Sequence, residues 1–175
     1  WCQEVEKEYP NFNIVGEAWY PKGSASAWWQ QGSALNHADS HLKTVMDFDL
    51  TFTSQKAFNE NCSSNEGSES GLFKIYEVIA QDFLFPNPNN ILIFLDNHDI
   101  SRFMQKDEND LRRYKQAIAF LLTTRGIPQI YYGTEILMYG NKSEGDGNIR
   151  KDFPGGWAGD PVDAFTSSGR TDIQN

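Results

Sequence analysis

No apolar run in these 175 residues approaches the roughly 18 that a membrane-spanning helix requires. The longest are Ile91–Leu95 and Ala117–Leu122. Positive charge is also scarce: 15 Lys and Arg stand against 24 Asp and Glu, a net charge of −9 with a pI near 4.7. Such a surface repels phosphate backbones and anionic headgroups, so neither nucleic acid nor membrane is expected as a partner. Cysteine is limited to Cys2 and Cys62, without a C-x-x-C pair, so no disulfide framework or redox compartment follows. Internal repeats and low-complexity tracts are absent. The opening Trp1-Cys2-Gln3-Glu4-Val5 lacks the basic start and apolar centre of a signal peptide. With the polar end Thr171–Asn175, it leads us to expect a piece excised from a longer protein.

What is present suffices for a core. Hydrophobic residues make up 39% and aromatics 14%, at a length that suits one domain. Four short apolar runs have strand character: Phe12–Val15, Val45–Leu50, Ile91–Leu95 and Pro128–Tyr132. The first and third are continuous rather than alternating, as parallel strands buried on both faces are. Helical spacing appears at Leu72, Ile75, Ile79 and Phe83, within Gly71–Phe85. A second stripe comprises Leu111, Tyr114, Ala117, Ile118, Leu121 and Leu122. Asp107, Glu108 and Asp110 precede this stripe and Arg125, Gly126 and Pro128 follow it, which are start and stop signals. Ser24–Leu35 reads equally as helix or loop. The run starts lie 33, 46 and 37 residues apart, room for a strand–helix–strand crossover each time. The expected class is α/β with a parallel sheet, either doubly wound or part of a (β/α) barrel.

Two clusters carry candidate chemistry. Glu17 directly follows Asn13-Ile14-Val15-Gly16, at the end of the first run, where parallel folds place their sites, and Trp19 and Tyr20 beside it would partly desolvate it. Its plainer reading is a solvated glutamate in a loop. Asp96-Asn97-His98-Asp99 leaves the third run as four consecutive polar residues, costly unless they meet partners or ligand. Turn and helix-cap chemistry is the alternative. Together the clusters offer two carboxylates at one end of a sheet, the equipment of glycoside hydrolysis.

Gly16-Glu17-Ala18-Trp19, Phe94-Leu95-Asp96-Asn97-His98-Asp99 and the segment Gly126 to Glu135 resemble three successive motifs of the α-amylase family of glycoside hydrolases. The tail Gly145 to Trp157 is most similar to the neopullulanase and cyclomaltodextrinase branch. The resemblance implies a partial (β/α)₈ TIM barrel, strands five to eight with their helices, filling residues 1–175. It implies an α-glucan substrate with hydrolysis or transglycosylation of α-1,4 links, or a non-catalytic glucan-binding relative. Residue by residue, Glu17 matches the general acid/base, Asp99 a third essential carboxylate and His98 its sugar-binding neighbour. Trp19, Arg150 and Asp152 are expected to contact sugar. The family's nucleophilic aspartate lies on the fourth strand in an Arg-x-Asp motif, outside the matched region, so the 175 residues alone are expected to be inactive. Four strands cannot close a barrel, and a homodimer through the exposed sheet edges is expected.

Other constellations weigh less. His37 and His41 could share a metal only on a helix, and Asn36–Ser40 has loop composition. Asp146-Gly147-Asn148 resembles the start of a calcium loop, but Arg150 stands where an oxygen ligand belongs. No metal or cofactor is expected. Asn61-Cys62-Ser63 and Asn141-Lys142-Ser143 fit a glycosylation pattern too common to use. Trp28, Trp29, Phe153 and Trp157 join Trp19 as loop aromatics suited either to packing or to stacking on sugar rings.

Overall fold

A computed structural model describes residues 1–60, 69–104 and 111–175. Cys62, the pattern at Asn61–Ser63 and the acidic start signals Asp107, Glu108 and Asp110 lie outside the described residues. The chain forms two compact units: Trp1–Leu95 with Lys115–Gln129, and Asp96–Tyr114 with Ile130–Asn175.

The first unit is built on four short parallel strands, β1 (Val15–Gly16), β2 (Thr44–Val45), β3 (Leu92–Phe94) and β4 (Ile127–Gln129). Val15 pairs with Thr44 and Ile93 with Pro128. An isolated parallel bridge, Met46 to Leu92, joins the two pairs, and the Asp47 amide donates to the Leu92 carbonyl at 2.9 Å. Spatial order therefore follows chain order. A doubly wound sheet reverses its order at a switch point, and no reversal occurs among the described residues.

Helix α1 (Cys2–Glu8) precedes β1, α2 (Gly23–Ala27) lies between β1 and β2, α3 (Phe48–Asn59) and α4 (Phe73–Ile79) lie between β2 and β3, and α5 (Leu111–Thr123) lies between β3 and β4. Ala18, Ala27, Val45, Phe85 and Ile91 form one buried cluster, with Leu42 and Leu84 against it. From α5, Tyr114, Ala117 and Leu121 are buried as the stripe requires, whereas Leu122 is exposed. Gly126 enters β4 at φ +104°, where a Cβ would meet the Ile91 carbonyl at 2.8 Å. Only glycine lets the chain approach β3 so closely there.

Several sequence expectations shift. The run Val45–Leu50 is strand only at its start, because the Asp47 carboxylate accepts the Leu50 amide at 2.9 Å and caps α3. That cap turns Phe48–Leu50 into a first helical turn. The run Phe12–Val15 yields strand at Val15–Gly16, and Phe12 and Val15 are exposed rather than buried on both faces. The reason is that β1 has β2 as its one neighbour among the described residues. Ser24–Leu35 is mainly loop, with helix ending at Ala27. Helix α1 was not anticipated.

The first unit also holds a largely buried ion network. Arg125 Nη1 lies 2.9 Å from Asp47 Oδ2, while its Nε and Nη2 grip Asp82 at 2.6–2.9 Å. Asp47 is almost wholly buried, and that burial pushes its carboxyl up against the opposing pull of Arg125.

The second unit is mostly loop with short helical turns, including α6 (Asp146–Ile149). Ile100, Phe103, Tyr114, Ile136, Ile149 and Ala164 are its buried apolar residues. The Tyr114 hydroxyl donates to the Thr134 carbonyl, which satisfies a buried phenol.

Candidate active site

Glu17 leaves β1 in a tight bend in which the Ala18, Trp19 and Tyr20 amides each donate to the carbonyl two residues earlier. Such consecutive three-residue turns are common at strand ends. The glutamate is exposed and lines an open depression of about 430 Å³ with Gly16, Ala18, Trp19, Tyr20, Trp29 and Leu42. The expected desolvation by Trp19 does not occur. Its indole stacks on Phe48 at 4.4 Å between ring centres, because burying aromatic area against Phe48 is favourable, and Glu17 keeps its access to water.

After β3 the four polar residues divide by role. Asp96 is buried and accepts the Phe103 amide at 2.7 Å. Desolvation pushes its carboxyl up to about 6, with the Phe103 amide and the Arg102 charge opposing. Asn97 is also buried, and its Oδ1 accepts the amides of Asp99 (2.9 Å) and Ile100 (3.1 Å). That is turn chemistry of the kind asparagine favours. It holds the next two residues outward.

Those two are His98, exposed, and Asp99, partly exposed. His98 Nε2 lies 3.0 Å from Asp99 Oδ2. Arg150 closes the group: Nη2 lies 2.7 Å from Asp99 Oδ1, and Nε donates to the His98 carbonyl at 2.7 Å. Arg150 Nη2 also lies 3.0 Å from Asp146 Oδ2. The structure thus brings His98, Asp99 and Arg150 together within the second unit. Asp152 stands exposed, apart from these contacts.

The calcium-loop alternative fails on the same geometry. The Asp146 carboxylate is taken by Lys142 and Arg150, two cations where a metal would need oxygen ligands. Hydrogen bonding to Lys142 holds it below the usual carboxylate range. His37 and His41 lie in a loop, where Asp39 Oδ1 accepts the His41 amide. Among the other aromatics, Trp28 and Trp29 pack edge to face, Phe153 packs on Phe165 at 4.7 Å, and Trp157 is exposed.

One residue of the second unit escaped sequence reasoning. Arg102 is fully buried, in a segment where Ile100 and Phe103 are buried as well. Its only signal was a charged residue beside the apolar pair Phe103-Met104, which is equally compatible with an exposed side chain.

Residues 1–164 match the alpha-amylase catalytic-domain family. The chain belongs to the alpha-amylase family. Its relatives include a cyclomaltodextrin glucanotransferase of Niallia circulans, 35% identical over 132 residues, covering 72% of this chain and 17% of that protein. An alpha-amylase of the same organism is 37% identical over 107 residues, covering 61% of this chain and 18% of that protein. Among solved structures, the alpha-amylase of Geobacillus thermoleovorans complexed with acarbose superposes with a TM-score of 0.69 at 27% identity, covering 87% of this chain and 32% of that one. The chain therefore spans less than a third of each of these relatives. Its α/β architecture is part of the (β/α)₈ barrel of the alpha-amylase family.

Proposed function

We propose that this chain is the strand-five to strand-eight half of a retaining α-glucan hydrolase acting on α-1,4 links of maltooligosaccharides, cyclodextrins, pullulan or starch. Glu17 carries the reading: a carboxylate at the end of β1, in a depression walled by Trp19, Tyr20 and Trp29. Sugar rings present apolar faces that suit aromatic walls, and an exposed carboxylate among them can meet a glycosidic oxygen. Glu17 acts first as acid, protonating that oxygen as the bond breaks, then as base, taking a proton from the attacking water.

Asp99 hydrogen-bonds hydroxyls of the reacting sugar and favours its oxocarbenium-like distortion, and His98 donates to the same ring. Arg150 and Asp152 extend the polar contacts. A retaining mechanism needs a second carboxylate about 5–5.5 Å from the acid. No strand described here ends in Arg-x-Asp, so the nucleophile belongs to another strand of the barrel, and the 175 residues alone leave starch intact.

The glucanotransferase relatives favour a second reading, transfer of the glycosyl group to another sugar rather than to water. Both use the same carboxylates, and products from maltotriose distinguish them. The assignment itself is tested with Glu17→Gln in the full-length enzyme. The amide keeps the shape and removes the proton donor, which costs about 10²–10⁴-fold in kcat on unactivated maltooligosaccharides. An activated aryl glycoside needs less acid help, so its first step suffers less. Wild-type turnover of maltooligosaccharides by Glu17→Gln overturns the acid assignment.

A further inference from the structure

Burying a guanidinium is costly unless its donors find acceptors, and arginine is almost never fully buried unless paired. Arg102 is fully buried, yet its hydrogen bonds go to main-chain carbonyls. Nε donates to Ile149 O at 3.1 Å and Nη1 to Tyr132 O at 2.8 Å. The guanidinium carbon lies 4.3 Å from the centre of the Tyr131 ring and 4.9 Å from that of Tyr132. The Arg102 amide donates to Gly140 O at 3.0 Å. A residue three positions after Asp99 thereby fastens three later stretches of the unit.

The Ile149 carbonyl is the informative one. The next residue, Arg150, reaches back to the His98 carbonyl and the Asp99 carboxylate, both at 2.7 Å. The contacts close a ring: Arg102 to Ile149, Ile149 to Arg150, Arg150 to Asp99, and three residues of chain back to Arg102. We propose that Arg102 is a positioning residue for Asp99, acting through Ile149 and Arg150, and its purpose rests on the reading of Asp99 as a sugar-binding carboxylate. Lysine cannot take its place, because a single ammonium has no planar fork to span two carbonyls and stack on two rings.

Residue-resolved amide exchange on the full chain tests this. Arg102→Lys should raise exchange at Asp99, Ile100 and Arg150 about tenfold, while the Leu50 amide at the start of α3 keeps its rate. Arg150→Ala, a change at a partly exposed side chain, should release Asp99 and Ile100 to a similar degree. Arg102→Lys added to Arg150→Ala should then release them little further, since contacts acting in series do not add. Unchanged exchange at Asp99 in Arg150→Ala overturns the proposal, even where Arg102→Lys fails to fold. Full additivity of the two changes overturns it too, as does a rise at Leu50 equal to that at Asp99, which marks general loosening. Asp99→Asn in the active full-length enzyme separates the functional premise: normal turnover there removes the purpose of the tie even when the exchange pattern is as expected.

Discussion

Arg150 holds the Asp99 carboxylate, with Nη2 at 2.7 Å from Oδ1. The same nitrogen lies 3.0 Å from Asp146 Oδ2, so one guanidinium serves two carboxylates of the second unit. Both partners of the Arg150–Asp99 pair are partly exposed, and such pairs add little to stability. Its contribution is orientation, since a charge-assisted hydrogen bond fixes where the carboxylate points.

Asp99→Asn in the full-length enzyme should lower kcat on the order of 10²-fold or more, as losing a contact that strengthens in the transition state does. On the proposed role of Asp99, which binds the distorted sugar and transfers no proton, aryl glycosides and maltooligosaccharides should lose comparable rate. Parallel kinetics on the two substrates check this. A loss confined to the unactivated substrate would make Asp99 the acid and exchange its role with that of Glu17.

Arg125→Met should destabilise the first unit by about 3–5 kcal/mol, because it strands the buried Asp47 carboxylate. Adding Asp47→Asn should recover much of that loss, since asparagine still caps α3 and carries no charge to bury. Urea denaturation of the single and double variants measures both effects. An equal loss in the double variant would mean that packing, not charge, makes Arg125 matter.

Asp96 gives the chain a pH dependence of known sign. Its folded value of about 6 lies above the roughly 3.9 of an unfolded aspartate. The folded state holds that proton more tightly, so this contribution is fully present below about pH 4 and lost as pH rises through 6. Asp96→Asn keeps an acceptor for the Phe103 amide and removes the titration. Relative to wild type, the variant should gain roughly 2–3 kcal/mol between pH 4 and pH 7.5. Melting curves at both pH values check it, and a constant difference would sink it.

Strands β1 and β4 each have one neighbour among the described residues, and Phe12, Val15 and Ile127 are exposed beside these edges. Unpaired strand edges are templates for association. The purified 175-residue chain should therefore form a homodimer or larger assembly, pairing first strand with last. Light scattering at micromolar concentration measures it, and a folded monomer of 19.9 kDa would exclude it.

The amino-acid sequence determined much of this protein by local rules. Apolar runs located the starts of the four described strands to within three residues, and the stripe Tyr114, Ala117, Leu121 located α5, because burial acts on the same periodicity that the sequence displays. Glu17 and the Asp96–Asp99 cluster stood out as candidates because carboxylates leaving an apolar run are conspicuous, while the roles proposed for Glu17 and Asp99 came from the family resemblance. Long-range geometry decided the rest. The cap from Asp47 ended a strand that propensity would have continued to Leu50. Strand order came from a single bridge between Met46 and Leu92, 46 residues apart, which no local pattern encodes. The stacking of Trp19 on Phe48, the grip of Arg150 on Asp99 and the burial of Arg102 depend on partners 29, 51 and 29 or more residues away in the chain. A side chain's polarity can be read from its own letter, but whether it is buried, paired or free is set by what tertiary folding brings beside it.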